Sequence, residues 1–442
     1  MIKNYLPIFL ILLLFIYGCS QPTPGPEPVP TPTPGPTPQP NPEPEPTPIP
    51  PEDLAASDEK ADAVDKSFTA SNSEFAFNVF KELIEEDKDQ NIFISPFSIS
   101  TALTMTYNGA EGTTKDAMEK TLKFGSDIEN TNKEYKNLIE SLDKVDSKIK
   151  LTVSNSIWVN KSFEPSVKQD FKDRLNGNYN SDILARDFTD SKTADEINSW
   201  IDKSTNGKIT KMIDKIGPEL VMFLINAIYF KGEWTEKFDE KYTKKEDFFL
   251  SDGNPIKVDM MSNNGEFDYL EEKHFQAVRL PYGRGKIAMY IFLPNKGVEV
   301  DTLIKNLDPN SFEKFRSEDL EELKVPKFKI EYGKKRLNDI LKKQGMEVAF
   351  DKGDANLRGI ATLTPQQNLY ISFVDHKAVI EVNEEGSEAA AATVIGIGMV
   401  ASAAPGIPLK FIADRPFFFV IRDDRSGTIL FMGKLVDPSK SS

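Results

Sequence analysis

EEGSEAAAATVIGIGMVASAAPG, residues 384–406, is the stretch on which the interpretation of this protein depends. Three glutamates near its start give way to alanines and then to valine, isoleucine and glycine, and the next charged residue is Lys410. A stretch of this kind could be a nucleotide-binding turn, a membrane span, or a loop that later joins a sheet.

The nucleotide-binding interpretation rests on residues 396–401, which match the pattern G-x-G-x-x-A, with Asp414 near the usual acidic offset. That turn must open a helix, but Pro405 and Pro408 follow it too soon for a helix to continue. Too few residues remain for half of a nucleotide-binding domain, so we set this interpretation aside.

The membrane interpretation rests on the uncharged residues 389–409, which have the length of a spanning helix. Most of these side chains are small, and alanine contributes far less transfer energy than leucine. Two prolines and three glycines also weaken any helix here. A spanning helix is therefore not expected.

The protein as a whole has 442 residues, a formal net charge of −15 and 39% hydrophobic residues. Phosphate binding needs a basic face, so we do not expect nucleic acid as a partner of such an acidic protein. The hydrophobic residues are sufficient for a large core, so we expect a soluble globular body.

The first 20 residues contain an apolar run at 6–17 that is shorter than the roughly 20 residues of a membrane span. This predicts an export signal over residues 1–18. The single cysteine, Cys19, follows it, as in bacterial-type lipoprotein signals, which are cleaved before a cysteine that then carries lipid. The alternative is an ordinary signal peptide with an incidental cysteine.

Proline occupies every even position from Pro22 to Pro50. Such a segment has few backbone donors and is expected to form an extended, semi-rigid spacer. We therefore predict a lipid-anchored tether over residues 19–66, a globular domain over 67–438, and an exported protein at the cell surface.

Hydrophobic periodicity in the globular part indicates helices first and strands later, which is typical of the α+β class. Helices are predicted over 74–86, 96–110 and 194–209. Apolar runs that indicate buried strands lie at 219–230, 286–294, 368–374, 416–422 and 428–433.

The residues needed for common hydrolytic and metal chemistry are scarce. The sequence has two histidines, His274 and His376, and its single cysteine lies outside the globular part. No G-x-S-x-G elbow occurs, and His376 lies in the alternating pattern VDHKAVIEV, which is typical of a core histidine in a strand. We expect no catalytic residues, no metal and no cofactor.

The remaining interpretation of residues 384–406 is a loop that enters a sheet as a new strand. Small side chains lose little on desolvation and do not obstruct entry. Strand alternation places Ser387, Ala389, Ala391, Thr393, Ile395 and Ile397 on the inward face, and Glu388, Ala390, Ala392 and Val394 on the other. We expect Ser387 to be the first inward residue to insert, from an exposed loop that makes few contacts before it is cut.

EEGSEAAAAT resembles the hinge of the serpins, the serine protease inhibitor family. The resemblance extends from Phe68 to Pro438 and includes NIFISPFSISTALTMTYNGA (91–110), LINAIYFKGEW (224–234) and ADRPFFFVIRDDRSGTILFMGKLVDP (413–438), in the family's order. It implies a serpin fold with three β-sheets, eight or nine helices and an exposed reactive-centre loop, here 384–410.

The resemblance also implies roles for individual residues. The hinge comprises Glu384, Glu385, Gly386, Ser387, Glu388, Ala389, Ala390, Ala391, Ala392 and Thr393. The polar cluster where the main sheet must part comprises Ser95, Ser98, Asn226 and His376. At the top of that sheet, Lys327 is expected to pair with Glu384 beside Trp234, and such a pair contributes little where it is exposed.

The implied activity is that of a suicide-substrate inhibitor of serine endopeptidases, with cysteine endopeptidases as a further class of target, acting as a monomer. The family's usual hinge length places the cut bond at Val400–Ala401, with Met399–Val400 as the alternative and a register open by one to three residues. Small apolar residues there suit elastase-like or subtilisin-like proteases. The alternative function is a non-inhibitory serpin that acts as a surface binding or structural protein.

The first prediction concerns the anchor. Cys19→Ser removes the predicted lipid attachment site, so the variant should move from the membrane fraction to the soluble fraction. The two fractions are compared by immunoblot after centrifugation, with a Ser20→Ala variant as the control. Equal membrane retention of the Cys19→Ser variant would show that lipid on Cys19 is not the anchor.

Overall fold

The computed structural model describes residues 47–125, 127–387 and 408–441. The α-helices of these residues are α1 (Pro51–Asp62), α2 (Lys66–Glu86), α3 (Pro96–Tyr107), α4 (Gly112–Leu122), α5 (Ile128–Leu142), α6 (Gln169–Tyr179), α7 (Lys192–Ser204), α8 (Val300–Asn306) and α9 (Asn338–Leu341). The strands are β1 (Ile92–Ile94), β2 (Ile149–Asn160), β3 (Ser181–Arg186), β4 (Met222–Glu233), β5 (Lys244–Phe249), β6 (Pro255–Glu272), β7 (Phe275–Tyr282), β8 (Ile287–Pro294), β9 (Arg316–Pro326), β10 (Phe328–Arg336), β11 (Asp375–Val382), β12 (Gly386–Ser387), β13 (Leu409–Ile412), β14 (Phe417–Asp423) and β15 (Thr428–Leu435).

Side-chain caps set the start of the helices that matter most for the site. Ser95 precedes α3, and its Oγ accepts a hydrogen bond from the backbone N–H of Ser98 at 3.1 Å, while Pro96 occupies the first helical position. Asp65 caps α2 in the same way through the N–H of Ser67. The Ser95 cap starts α3 directly after the buried strand β1.

A six-stranded sheet has the order β10-β11-β12-β4-β2-β3. Its centre is the long antiparallel pair β2 and β4, in register from Ile149 opposite Gly232 to Val159 opposite Met222. The main hydrophobic core lies on one side of this sheet and includes α3 and the inward side chains of β4. A smaller cluster around Ile197 and Ile201 of α7 covers the other face. The middle strands are therefore buried on both faces.

A nine-stranded sheet forms the second layer, with the order β1-β15-β14-β8-β7-β6-β9-β13 and β5 beside β6. The strand β6 pairs with β5 through its first six residues and with β7 through its last residues, and its pairing with β9 shifts register between Asn263 and Gly265. The resemblance implies three sheets, but the described strands form two. The strand β6 joins what would otherwise be two separate sheets into the nine-stranded one.

The predicted α+β class is confirmed, and so are most of the predicted elements. The helices predicted over 74–86, 96–110 and 194–209 correspond to α2, α3 and α7, and four of the predicted strands correspond to β4, β8, β14 and β15. The strand predicted at 368–374 is wrong, because that segment has no strand beside it on the β4 side. The periodicity of the first half also gave no sign of β2 and β3.

The helix α1 lies inside the range predicted as tether, 19–66, but it packs against α5. Ser57 donates a hydrogen bond to the carbonyl oxygen of Ser141 at 2.6 Å, and the buried Arg425 donates to the Ser57 hydroxyl at 2.7 Å and to Asp58 at 3.1 Å. The folded part of the protein thus begins upstream of residue 67.

None of the helices in the described part of the protein is long and apolar enough to cross a membrane. The predicted signal, Cys19 and most of the proline repeat lie outside the described residues.

Candidate functional site

The hinge begins at the top of the six-stranded sheet, where β12 lies between β11 and β4. Gly386 is opposite Glu233 and Ser387 is opposite Gly232 on β4, while Ser387 is also opposite Val382 on β11. Ser387 is only 1% exposed. Two residues of the predicted loop are therefore already part of the sheet.

Close backbone contact explains why a glycine precedes Ser387. A Cβ atom on Gly386 would lie 2.0 Å from the carbonyl oxygen of Gly232 and 2.8 Å from the Cα atom of Glu233. Any larger residue at 386 would push β12 away from β4. Glycine is thus required for the backbone to enter the sheet at this point.

An aromatic stack supports the hinge from below. The ring of Tyr282, at the end of β7, stacks on Trp234 with centroids 4.4 Å apart and ring planes at 13°, and the ring of Phe230 meets it edge-on at 5.0 Å. The Tyr282 hydroxyl lies 2.5 Å from the hydroxyl of Ser387. Trp234 also donates a hydrogen bond from Nε1 to the carbonyl oxygen of Asn383 at 2.9 Å.

Glu384 is anchored by an ion pair and a hydrogen bond. Its carboxylate lies 2.7 Å from the Lys327 ammonium and accepts a hydrogen bond from the Thr243 hydroxyl at 2.7 Å. Burial alone would raise the pKa of this carboxyl, but the bonds from Lys327 and Thr243 outweigh it, and the pKa of Glu384 is lowered. The stabilisation is therefore complete above the unfolded pKa and is lost only as the pH falls through the lower folded value.

The pairing of Lys327 with Glu384 was predicted, with the expectation that such a pair contributes little where it is exposed. The Glu384 side chain is 5% exposed and that of Lys327 39% exposed. Breaking a pair with one buried partner leaves a desolvated charge, which costs more than breaking an exposed pair does. Glu385 is held separately by Lys237, which also pairs with Glu233.

Below β12 the six-stranded sheet lacks a strand. No pairing joins β4 directly to β11 in the described residues, and a cavity of about 270 Å³ lies between β4 and residues 368–377. Ser98, Ile99, Ala102 and Leu103 of α3 form part of its lining. We call this space, bounded by β4 and residues 368–377 and further along the same two edges from β12, the slot.

The predicted polar cluster lies beside the slot. The Nε2 atom of His376 accepts a hydrogen bond from the backbone N–H of Ser95 at 3.1 Å, and the Ser98 hydroxyl lies 3.4 Å from the carbonyl oxygen of Asn226. The side-chain amide of Asn226 donates to Asn155 at 2.8 Å, but its Oδ1 atom is buried without a partner in the described structure. One buried acceptor is thus available at the slot.

Burial lowers the pKa of His376 to about 4. The imidazole is therefore neutral at physiological pH, which is the form that can accept the hydrogen bond from Ser95. His376 is a satisfied core histidine, as its strand pattern predicts, and it faces the slot.

The structure thus brings the predicted residues together at two places. Glu384, Glu385, Gly386, Ser387, Trp234 and Lys327 lie at the mouth of the slot, and Ser95, Ser98, Asn226 and His376 lie beside its middle. The remaining hinge residues 388–393 and Met399, Val400 and Ala401 lie outside the described residues. The prediction that Ser387 belongs to an exposed loop with few contacts is wrong, because strand pairing and Tyr282 hold it in the sheet.

Sequence reasoning missed Tyr282, Thr243, Lys237 and Asn155. Tyr282 lies in the sequence LPYG (280–283), but nothing in the sequence places that segment next to Ser387. Thr243 and Lys237 lie in a polar stretch without periodicity. Contacts of this kind depend on how distant strands meet, and a single sequence does not encode that directly.

Comparison with known proteins identifies the family. A family model described as Serpin (serine protease inhibitor) matches residues 70–438. The chain belongs to the serpin family. Serpins of known sequence also match over most of its length: leukocyte elastase inhibitor A of Rattus norvegicus is 33% identical over 388 residues, which cover 84% of this chain and all of that protein.

Solved structures are similar to this one. The thermophilic serpin tengpin in its native state has a TM-score of 0.74 and 33% identity, over 85% of this chain and 95% of tengpin. Human thyroxine-binding globulin complexed with thyroxine has a TM-score of 0.75 and 26% identity, over 84% of this chain and 99% of that protein. The serpin fold is therefore shown, and a protein that binds a small ligand has a similar fold.

The second prediction concerns His376. Its folded pKa of about 4 lies below the usual value of about 6.5. The unfolded state therefore binds more protons as the pH falls from about 6.5 to 4, and the free energy of unfolding should fall by up to about 3 kcal/mol over that window. His376→Gln should flatten this part of the pH profile, measured by urea unfolding.

The exposed His274 provides the matched control, because His274→Gln removes the other histidine of the sequence. That variant should keep the acid sensitivity of the parent. Equal pH profiles for the His376→Gln variant and the parent would contradict the assignment.

Proposed function

We propose that this serpin is a suicide-substrate inhibitor of serine endopeptidases that accept small apolar residues. The observation that carries the proposal is the position of β12. Two hinge residues already pair with β11 and β4 at the mouth of a slot that has room for the following residues. Residues 389–398 are small or β-branched, and no charged residue occurs between Glu388 and Lys410.

The chemistry in this proposal belongs to the protease. Its serine attacks the carbonyl carbon of the scissile bond, and the segment that follows that bond leaves with a new amino terminus. The loop remains attached to the protease as an ester. Insertion of the freed loop then carries the protease away from its first position, and inhibition results if insertion is faster than hydrolysis of the ester.

The register of β12 determines where the inserted residues would lie. Gly386 and Ser387 are opposite Glu233 and Gly232, so continuation of the antiparallel pairing brings Thr393 opposite Asn226. The pairing of Ser387 with Val382 on β11, continued in the same way, brings Thr393 opposite His376. The first hydroxyl-bearing residue after Ser387 would thus arrive at the polar cluster, where Asn226 has an unpaired acceptor.

Specificity is proposed from the residues around the cut. Val400–Ala401, with Met399–Val400 as the alternative, offers a small or medium apolar side chain to the protease. No lysine or arginine lies between Glu388 and Lys410, so trypsin-like proteases, which need one, are unsuitable targets. Elastase-like and subtilisin-like enzymes are the proposed partners.

The second candidate is a non-inhibitory serpin that binds a ligand or partner at the surface. The similarity to thyroxine-binding globulin favours it, because that protein has the same fold in complex with thyroxine. The hinge favours inhibition, because residues 389–392 are all alanine and would not obstruct insertion. The two candidates differ in whether a covalent complex with a protease forms.

For location, we propose that the protein is exported and held at the cell surface. The apolar run at 6–17 would direct export, lipid on Cys19 would anchor it, and the proline repeat would separate the folded part from the membrane.

The third prediction is direct inhibition. Incubation of the purified protein with an elastase-like or subtilisin-like protease should give a covalent complex that survives SDS, and the released C-terminal fragment should begin at residue 401. Intact-mass analysis identifies that fragment. A protease that is neither trapped nor inhibited across both classes would favour the binding function, and a fragment that begins outside 399–404 would contradict the predicted cleavage site.

The fourth prediction tests insertion itself. Thr393→Arg places a charge on the inward face, where it must be desolvated beside His376 at a cost of several kcal/mol. Insertion should slow, so hydrolysis of the ester should become the faster step. The ratio of cleaved product to covalent complex should therefore rise more than tenfold.

Glu388→Arg is the matched control, because it introduces the same side chain in the same hinge on the outward face. It should inhibit nearly as well as the parent. If the Thr393→Arg variant forms complex as efficiently as the Glu388→Arg variant, the loop does not enter the slot in this register.

A further inference from the structure

Two buried hydroxyl groups, those of Tyr282 and Ser387, meet at the mouth of the slot. Tyr282 is fully buried and Ser387 is 1% exposed, and their oxygen atoms lie 2.5 Å apart. Burial raises the pKa of Tyr282, so its hydroxyl keeps its proton at physiological pH. Either hydroxyl can be the donor, and this is the one side-chain hydrogen bond of Ser387 in the described structure.

Tyr282 is held in place independently of the hinge. Its ring lies between Trp234, stacked at 4.4 Å, and Phe230, edge-on at 5.0 Å. A Cβ atom on Gly232 would lie 2.9 Å from the ring, so the glycine allows the ring to approach β4 closely. Tyr282 also ends β7, a strand of the nine-stranded sheet. Its hydroxyl is therefore held in place by contacts that do not involve Ser387.

We propose that Tyr282 is a positioning residue of the inhibitory reaction, whose hydroxyl holds Ser387, and with it β12, in the sheet before a protease arrives. This inference rests on the proposed function. Tyr282 touches neither the protease nor the scissile bond. It acts through Ser387, by keeping the first inserted residues of the loop paired.

Insertion from a paired strand is easier than insertion from a free loop. The backbone of β12 is already fixed between β11 and β4, so each further residue adds to two existing strand edges. A released hinge would first have to order its own backbone again, which opposes the start of insertion. The delay matters because hydrolysis of the ester proceeds during the same interval.

The two hydroxyl groups form a pair that can be removed without changing the shape of the site. Tyr282→Phe keeps the ring and its contacts with Trp234 and Phe230, and Ser387→Ala keeps the backbone groups through which β12 pairs. Each single variant leaves one buried hydroxyl without its partner, whereas the double variant leaves none. The effect of the double variant should therefore be smaller than the product of the two single effects.

The experiment measures the hinge in the uncut protein and the outcome with a protease. Amide hydrogen exchange of a peptide containing residues 383–387 should accelerate about fivefold in each single variant, the size expected for one buried hydrogen bond. The ratio of cleaved product to covalent complex with an elastase-like protease should rise by a similar factor. The rate at which the protease attacks the loop should stay unchanged, because the scissile bond lies beyond residue 398.

Non-additivity distinguishes positioning from a general structural role. A merely structural role would give single effects that multiply in the double variant and would lower the urea midpoint in parallel. The proposal is overturned if hinge exchange in the Tyr282→Phe variant equals that of the parent, or if exchange rises while the product ratio stays constant.

The same data separate this inference from the proposed function. If the parent itself forms no covalent complex with any protease tested, inhibition is contradicted and the positioning role fails with it, whereas the exchange data still report whether the hydroxyl pair holds the hinge. If the parent forms complex and the variants form it in the same proportion, inhibition stands and the role of Tyr282 is contradicted.

Discussion

The pairing of Gly386 and Ser387 with two strands at once is the constraint on which the rest of the site depends. It places the start of the loop inside the six-stranded sheet, above a slot that no strand fills in the described structure. No strand of the described residues joins β4 to β11 beyond β12, and buried backbone groups without partners are costly. If the loop inserts as proposed, pairing along these two edges would supply free energy for insertion, and the hinge would determine where insertion starts.

The groups around the slot fit a sheet that must both hold together and open. At its mouth Glu384 is fixed by Lys327 and Thr243, so the turn before β12 cannot drift. Beside its middle, hydrogen bonds from Ser95 to His376 and from Asn226 to Asn155 replace the apolar contacts that would resist separation. Hydrogen bonds can be exchanged for others as a strand enters the sheet, whereas interlocked apolar side chains would leave voids when they separate.

Much of this arrangement could be predicted from the sequence, because it depends on patterns of neighbouring residues. The alternation in VDHKAVIEV predicted a buried His376 in a strand, which is confirmed, whereas the prediction of a loop suited to insertion stays a prediction, because residues 388–406 lie outside the described residues. The strand predicted at 368–374 was wrong for a physical reason. Its residues have the composition of a strand, but a strand also needs a partner, and the slot removes that partner.

The state of the hinge could not be predicted in the same way. Ser387 has the small polar side chain of an exposed loop residue, yet its hydroxyl meets that of Tyr282, more than a hundred residues away in the sequence. The burial of the Glu384 side chain likewise depends on Lys327 and Thr243, which distant parts of the chain bring beside it. Both facts depend on contacts between elements that are distant in the sequence, and composition and periodicity do not specify such contacts.

The most direct test of the account is the structure of the protein after a single cut at Val400–Ala401. The account predicts that β12 then extends through residues 388–393 between β4 and β11, with the Thr393 side chain beside His376 and Asn226. A cut protein in which β12 still ends at Ser387 and the slot keeps its cavity would contradict it.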